Sequence, residues 1–202
     1  MSSSFKIFVQ VFLIVFLTYF AWNTLINLPE YQLISGNTEW NITVGSILYL
    51  PLGSWILVYL LYRERALIGL FTVTFMAAVY YDLEEHLMIG YTLINTFGPM
   101  LAIHLLEKFH LADYNKFGVE RIPLGHILFL TLTASFINTL GKFLIYYWDV
   151  EYTHANSIWE DQGSMNFLTS YLPGDILGST VFIFIVIFLG KFFNLQKLRV
   201  ID

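Results

Sequence analysis

Residues 122–147 read IPLGHILFLTLTASFINTLGKFLIYY and carry a single charge, Lys142. About 20 mostly apolar residues suffice to cross the hydrocarbon core of a bilayer, so the stretch reads as a membrane-crossing helix with one basic side chain near its end. The same composition holds outward from it. Hydrophobic residues make up 57% of the 202 and charged residues 12%, against roughly 45–50% and 25% in average globular chains. Too little charge is present to solvate the outer faces of a soluble helical domain, and the high apolar content excludes disorder. Ten basic residues against fifteen acidic ones argue against nucleic-acid binding. With no cysteine, disulfides, thiol catalysis and cysteine–metal sites are excluded.

The fold class expected is an all-α, polytopic transmembrane bundle forming one domain over 1–202. Six helices are expected at 5–28, 42–62, 66–81, 87–106, 122–147 and 171–190. The third is short for a bilayer, with a rise of roughly 24 Å. The first has an apolar run too long for a signal peptide, and no small-residue cleavage site follows it before Pro29, so it reads as retained.

Lysine and arginine gather on the cytoplasmic side of short loops. Six crossings with both termini cytoplasmic collect Lys6, Arg63, Arg65, Lys108, Lys116, Arg121, Lys191, Lys197 and Arg199 on the inner side, leaving only Lys142 outside the set. The outer loops and helix ends then hold Glu30, Glu39, Asp82, Glu84, Glu85, Asp149, Glu151, Glu160, Asp161 and Asp175. Trp22, Trp40, Trp148, Tyr80, Tyr81, Tyr146, Tyr147 and Tyr171 fall at the outer ends, where amphipathic rings favour the interface. The longest loop, 148–170, is expected outside, with Trp159 beside Glu160 and Asp161.

Lys142 is the main candidate for function. An ammonium within a membrane helix costs about 2.5–3.5 kcal/mol or more at the bilayer centre and normally faces the bundle interior. Asn138 lies one turn deeper on the same face, and Asp175 enters the last helix at similar depth. The three read either as a polar ligand-binding site beneath the 148–170 loop or as a structural ion pair, with a snorkelling lysine as a further alternative. Asn95, ahead of Thr96, Gly98 and Pro99, and the Pro51-Leu52-Gly53 stretch each combine a helix-bending proline with freed carbonyls that either line a cavity or merely kink a packed helix. Gly45, Gly53, Gly69, Gly141 and Gly178 suit close helix packing.

His104 and His126 sit at inner helix ends, but no histidine pair at ligand spacing supports a metal or haem. The acidic turn Asp82-Leu83-Glu84-Glu85-His86 reads as solvated, and the acceptor pattern Asn41-Ile42-Thr43 abuts the membrane. No catalytic triad, nucleotide loop or acid cluster is visible, so neither an enzyme nor a cofactor is expected.

Several landmarks resemble the MASE-type integral membrane sensor domains of bacterial signalling proteins. These are Pro51-Leu52-Gly53, the basic turn Tyr62-Arg63-Glu64-Arg65 with Gly69 after it, and Ile94-Asn95-Thr96 leading from Leu101 to Lys108. The last is Gly174-Asp175-Ile176-Leu177-Gly178. The likeness covers about 5–190. It departs at Ile94, where the family has glycine, and at Phe97-Gly98-Pro99, where it has Leu-Glu. The resemblance implies a multi-pass sensory or regulatory module of the bacterial inner membrane that recognises a small ligand or a membrane partner. The family's effector is not within the chain, so action through a separate cytoplasmic effector, or as part of a longer chain, is what the resemblance leaves. The alternative is the substrate-binding or accessory component of a vitamin-type small-solute transporter, which also needs a polar outer site and small-residue faces for a partner.

Overall fold

The computed structural model describes residues 3–27, 48–81, 83, 85–114, 122–153 and 158–192, with the side chains of 27, 86, 146–153, 158–170 and 190–192 left aside. Every regular element among them is helical. Helix α1 is Ser3–Trp22, ending in a π turn at Asn23–Asn27. Helix α2 is Leu50–Tyr62, and a 3-10 turn, Arg63–Ala66, leads into α3 at Leu67–Tyr80. Helices α4 (Glu85–Lys108), α5 (Leu124–Thr153) and α6 (Ile158–Phe192) complete the bundle. Four stretches are long and apolar enough to cross a membrane: Ser3–Ile26, Leu87–Lys108, Leu124–Ile145 and Tyr171–Leu189. Large apolar side chains such as Phe20, Phe136 and Phe188 point outward from them, the arrangement a lipid-facing surface needs.

Helix α2 is the core. Every residue from Pro51 to Leu61 is buried, and α1, α4, α5 and α6 all pack against it. A helix apolar on all sides belongs in a protein core or in lipid, and LPLGSWILVYLLY has no polar face to offer solvent; here the other helices enclose it. Its 13 residues rise about 20 Å and the 14 of α3 about 21 Å. Both fall short of the ~30 Å hydrocarbon core. The expected second helix at 42–62 is therefore corrected. Leu48 and Tyr49 are not helical, because the Tyr49 N–H leaves the helix direction to donate to the Gly174 carbonyl at 3.0 Å. Pro51 consequently lies in the first turn of α2, where its missing N–H costs nothing, and it frees no carbonyl in mid-helix as the sequence suggested.

Glycines set the close approaches. Tyr49 lies directly on Gly178, where a side chain would run into its backbone N, C and O atoms. A Cβ on Gly53 would stand 2.7 Å from Phe182 Cβ and 3.0 Å from Ser179 Cα, so α2 and α6 touch almost backbone to backbone. Between α4 and α5 the contact is a reciprocal interlock. Gly90 receives Ile145, Ile94 fills the space over Gly141, and Gly98 faces Ile137. Each helix thus alternates glycine and isoleucine every four residues, on one face, and the two helices run antiparallel with bumps set into hollows.

Two ends of the bundle follow. At one, Arg63 ends α2 with φ +51° and pairs with Glu107 at 3.1 Å; Arg65 and Lys108 lie in the same region. At the other stand Tyr49, Lys142 and Asp175. The expected 148–170 loop is also corrected. Helix α5 runs on to Thr153 and α6 begins at Ile158, 154–157 lying outside the described residues. Polar residues there end the apolar run without ending the helices. Pro173 is therefore inside α6 and cannot hydrogen-bond the Thr169 carbonyl.

Candidate functional site

Three helices bring polar side chains to the Tyr49 end. From α5 come Asn138, Thr139 and Lys142, which lie within just over one turn of each other. From α6 comes Asp175, and from α4 come Tyr91, Thr92 and Asn95. Asp175, fully buried, accepts a hydrogen bond from Asn138 Nδ2 at 2.8 Å and a longer one from Thr139 Oγ1 at 3.4 Å. Lys142 is only 3% exposed. Its ammonium lies over three rings, Tyr49 at 4.9 Å, Tyr91 at 5.3 Å and Tyr171 at 5.7 Å from their centroids. Ring quadrupoles attract a cation by about 0.5–1 kcal/mol at exposed sites and by ~2 or more when desolvated, so this box offsets part of the cost of burying the charge. Among the described residues no direct ion pair joins Lys142 to Asp175. The structure thus brings Asn138, Lys142 and Asp175 together, with the lysine held by aromatic faces and the carboxylate by an amide and a hydroxyl.

The box is fixed from below and behind. Gly174 and Gly178 seat the Tyr49 backbone. Tyr49 Oη lies 3.3 Å from Tyr19 Oη on α1, and the Tyr49 ring meets Trp22 edge-on at 4.9 Å and Trp55 at 5.8 Å. Trp22, expected at the membrane interface, is instead buried against this cluster.

Buried polar atoms without a partner gather here; single ones also occur at Trp55 Nε1 and His126 Nδ1. Asn95 is completely buried, and neither its Nδ2 nor its Oδ1 has a hydrogen-bond partner. Thr92 Oγ1, Ser135 Oγ and Asn138 Oδ1 are in the same condition. The α4–α5 interlock sets their levels: Thr92 lies near 143, Asn95 near 140, Asn138 near 97 and Ser135 near 100. Pro99 deepens the deficit, since it has no N–H to give the Asn95 carbonyl one turn earlier. Leaving a buried polar group unpaired costs ~1–3 kcal/mol, so these four, spread along about two turns of the α4–α5 contact, mark a stretch where protein groups alone do not complete the hydrogen bonding.

At the opposite end Tyr59 Oη lies 3.0 Å from His104 Nε2 and donates to Glu64 Oε1 at 3.2 Å. His104 also stands 3.5 Å from Glu64 and 4.0 Å from Glu107, and Tyr114 Oη donates to the His126 carbonyl at 3.2 Å. The sequence presented both histidines as isolated. His104 belongs to a network that ties the α2–α3 turn to α4. Among the described residues no group of three metal-ligating side chains forms.

Tyr49 and Tyr91 are the residues that sequence reasoning missed, and Tyr171 was read only as an interface anchor. They lie on three different elements, and no local pattern joins them. The Gly90-Ile94-Gly98 and Ile137-Gly141-Ile145 spacings were the available signal for the α4–α5 register. Asn41, Thr43, Gly45, Trp40, Asp82 and Glu84, and the side chains of His86, Trp148, Trp159, Glu160 and Asp161, lie outside what is described. No protein-family model, curated protein or solved structure matches this chain.

Proposed function

We propose that the chain is a multi-pass protein of the bacterial inner membrane that binds a small anionic or zwitterionic molecule at the Tyr49 end. In this reading it is a sensory or regulatory module that passes its state to a separate effector or membrane partner. The observation that carries the binding reading is the run of fully buried, unpartnered polar groups on Thr92, Asn95, Ser135 and Asn138 beneath a buried ammonium. Polar and ionisable groups inside a membrane bundle are expensive and mark binding or conduction sites. Sensing rather than transport rests on the short-motif resemblance to MASE-type domains at Pro51, Gly53, Asn95, Gly174 and Gly178.

The same reading has six crossings, with both termini cytoplasmic. The Arg63 end gathers Arg63, Arg65 and Lys108, as the positive-inside rule requires of a cytoplasmic face. Helix α2 can be shorter than the bilayer because it is enclosed by protein and never meets lipid. Reporter fusions after Ser157 and after Asp202 should report opposite sides; the same side for both refutes the topology.

The functional test uses the purified full chain in lipid nanodiscs, with unfolding temperature read against a panel of small carboxylates, phosphates and zwitterions. At least one compound should stabilise the wild type and leave Lys142→Met unmoved at unchanged folded yield. A panel with no effect, or a response that survives Lys142→Met and is lost in His104→Ala, refutes the site. Dependence of the response on a co-expressed ATPase pair would place the chain in the transport class instead.

A further inference from the structure

Asn95 faces the first turn of α2. Successive helical residues turn by about 100°. Ile94 points at α5, over Gly141, and Thr96 points at α3, where its hydroxyl lies 3.1 Å from that of Thr74. Asn95, between them, is directed at the interior that α2 fills. Its level follows from two contacts. The Lys142 ammonium reaches both the Tyr49 and the Tyr91 rings, and Tyr59 meets His104. Helices α2 and α4 therefore run parallel, and Asn95, one turn beyond Tyr91, stands beside the start of α2.

That start is a buried helix N-terminus without a side-chain cap. The first four N–H groups of a helix have no acceptor within it. Tyr49 gives its own to Gly174 and Pro51 has none; of the remaining two, Leu50 and Leu52, neither donates to a described residue outside the helix. The N-terminal end of the helix also carries about half a positive charge, and such ends bind anions. An uncapped N-terminus, a fully buried amide with both polar atoms unpartnered and an ammonium set over ring faces near Asp175 thus lie close together in the bundle.

Resting on the ligand-binding reading above, we propose that this level is a carboxylate site. One carboxylate of the ligand would take the Leu50 and Leu52 N–H groups and Asn95 Nδ2, with the Lys142 ammonium as its counter-charge. The charge count selects the class. Asp175 stands on the adjacent helix, and its negative charge disfavours a dianion such as phosphate. A monocarboxylate fits, and a zwitterion fits better, since its cationic group can face Asp175. The unpartnered Thr92 hydroxyl, one turn from Asn95 on the same helix, is left for an uncharged polar atom of the ligand.

The probes are acetate, glycine, inorganic phosphate and ethylammonium, titrated onto the full chain in nanodiscs. Trp22 and Trp55, which pack on Tyr49, report through their emission, alongside the unfolding temperature. Acetate and glycine should titrate saturably, glycine more tightly, with phosphate and ethylammonium at least tenfold weaker. Asn95→Leu should weaken glycine at least tenfold while unfolding at or above the wild-type temperature, because it removes an unsatisfied amide. Asn95→Ala serves the same purpose should the larger side chain fail to fold. Glycine binding unchanged in both variants, or no carboxylate binding at all, overturns the proposal. If a compound without a carboxylate stabilises the wild type in a Lys142-dependent way, the carboxylate site falls and the functional reading stands. If nothing in the panel binds, both fall.

Discussion

Gly178→Ala tests the central packing of the structure. A methyl group at this position would overlap the N, C and O atoms of Tyr49. These are backbone atoms, so no rotamer change relieves the overlap. Reaching ordinary carbon contact of about 3.5 Å requires Tyr49 to retreat by roughly an ångström. The Tyr49 N–H to Gly174 O bond, now 3.0 Å, would then be broken, and the Tyr49 ring would withdraw from Lys142. Overpacking costs about 1–3 kcal/mol and the lost bond about 0.5–1.5 kcal/mol. The sum is a fall of several degrees in unfolding temperature, at roughly 2–4 °C per kcal/mol for a chain of this size. Gly98→Ala is the control: its nearest neighbour is Ile137 Cγ2 at 3.8 Å, an ordinary contact, and alanine is favoured over glycine in a helix by about 1 kcal/mol. Both variants would be unfolded thermally in detergent, with tryptophan emission followed. Gly178→Ala melting as wild type, with unchanged emission, would refute the seating of α2 on α6.

The α4–α5 interlock predicts that Gly141→Ala, whose Cβ would stand 2.6 Å from Ile94 Cδ1, destabilises by about 1–2 kcal/mol. Ile94→Val removes only the nearest of three crowding atoms, leaving Cγ2 at 2.9 Å and Cγ1 at 3.0 Å, and should restore part of the loss, as a double-mutant cycle on thermal unfolding would show. Asn138→Leu removes the 2.8 Å donor to Asp175 and should cost about 1.5–3 kcal/mol, the range for a bond to a charged group. Joining it to Asp175→Leu and Lys142→Met should recover much of that, since apolar replacement of a whole buried polar set is often neutral, whereas Asp175→Leu alone would leave the Lys142 charge uncompensated. Glu64, in the α2–α3 turn, is held below its ordinary value of 4.5, first by a hydrogen bond from its own backbone and then by Tyr59, His104 and Arg63, against desolvation. A lowered carboxylate value means the stabilisation is present above the unfolded-state value and lost as pH falls through the folded-state one. Unfolding temperature should therefore decline in acid, and Glu64→Gln should flatten that decline.

The apolar stretches and the depth of Lys142 were legible because hydropathy is a local property. So was the convergence of Asn138, Lys142 and Asp175, since Lys142 and Asp175 enter at similar depth and Asn138 lies one turn deeper on the lysine's face, although the bond that forms is from Asn138 to Asp175. What was not legible depended on partners distant in the chain. Tyr49 leaves the helix because a carbonyl on α6 accepts its N–H, and nothing near Tyr49 encodes that. Pro51 therefore looked like a mid-helix break when it is a first-turn residue. The tyrosine box needs three rings from three elements, and each alone reads as an interface aromatic. The 148–170 region misled for another reason. Asp149, Glu151, Glu160 and Asp161 end the hydrophobic run, but helices continue through polar sequence.

The enclosure of α2 bears on the order of biogenesis. Its seat on α6, at Gly174 and Gly178, is synthesised about 125 residues after Gly53, which at ~5–20 residues per second is a delay of several seconds. Through that interval α2 has only α1, and then α4 and α5, to settle on. Lipid can shelter its leucines but cannot replace the Gly174 carbonyl that takes the Tyr49 N–H. The hairpin of α2 and α3 therefore stays only partly enclosed until the last helix arrives. Truncation before α6 should leave α2 exposed to quality-control proteases while α1 stays embedded.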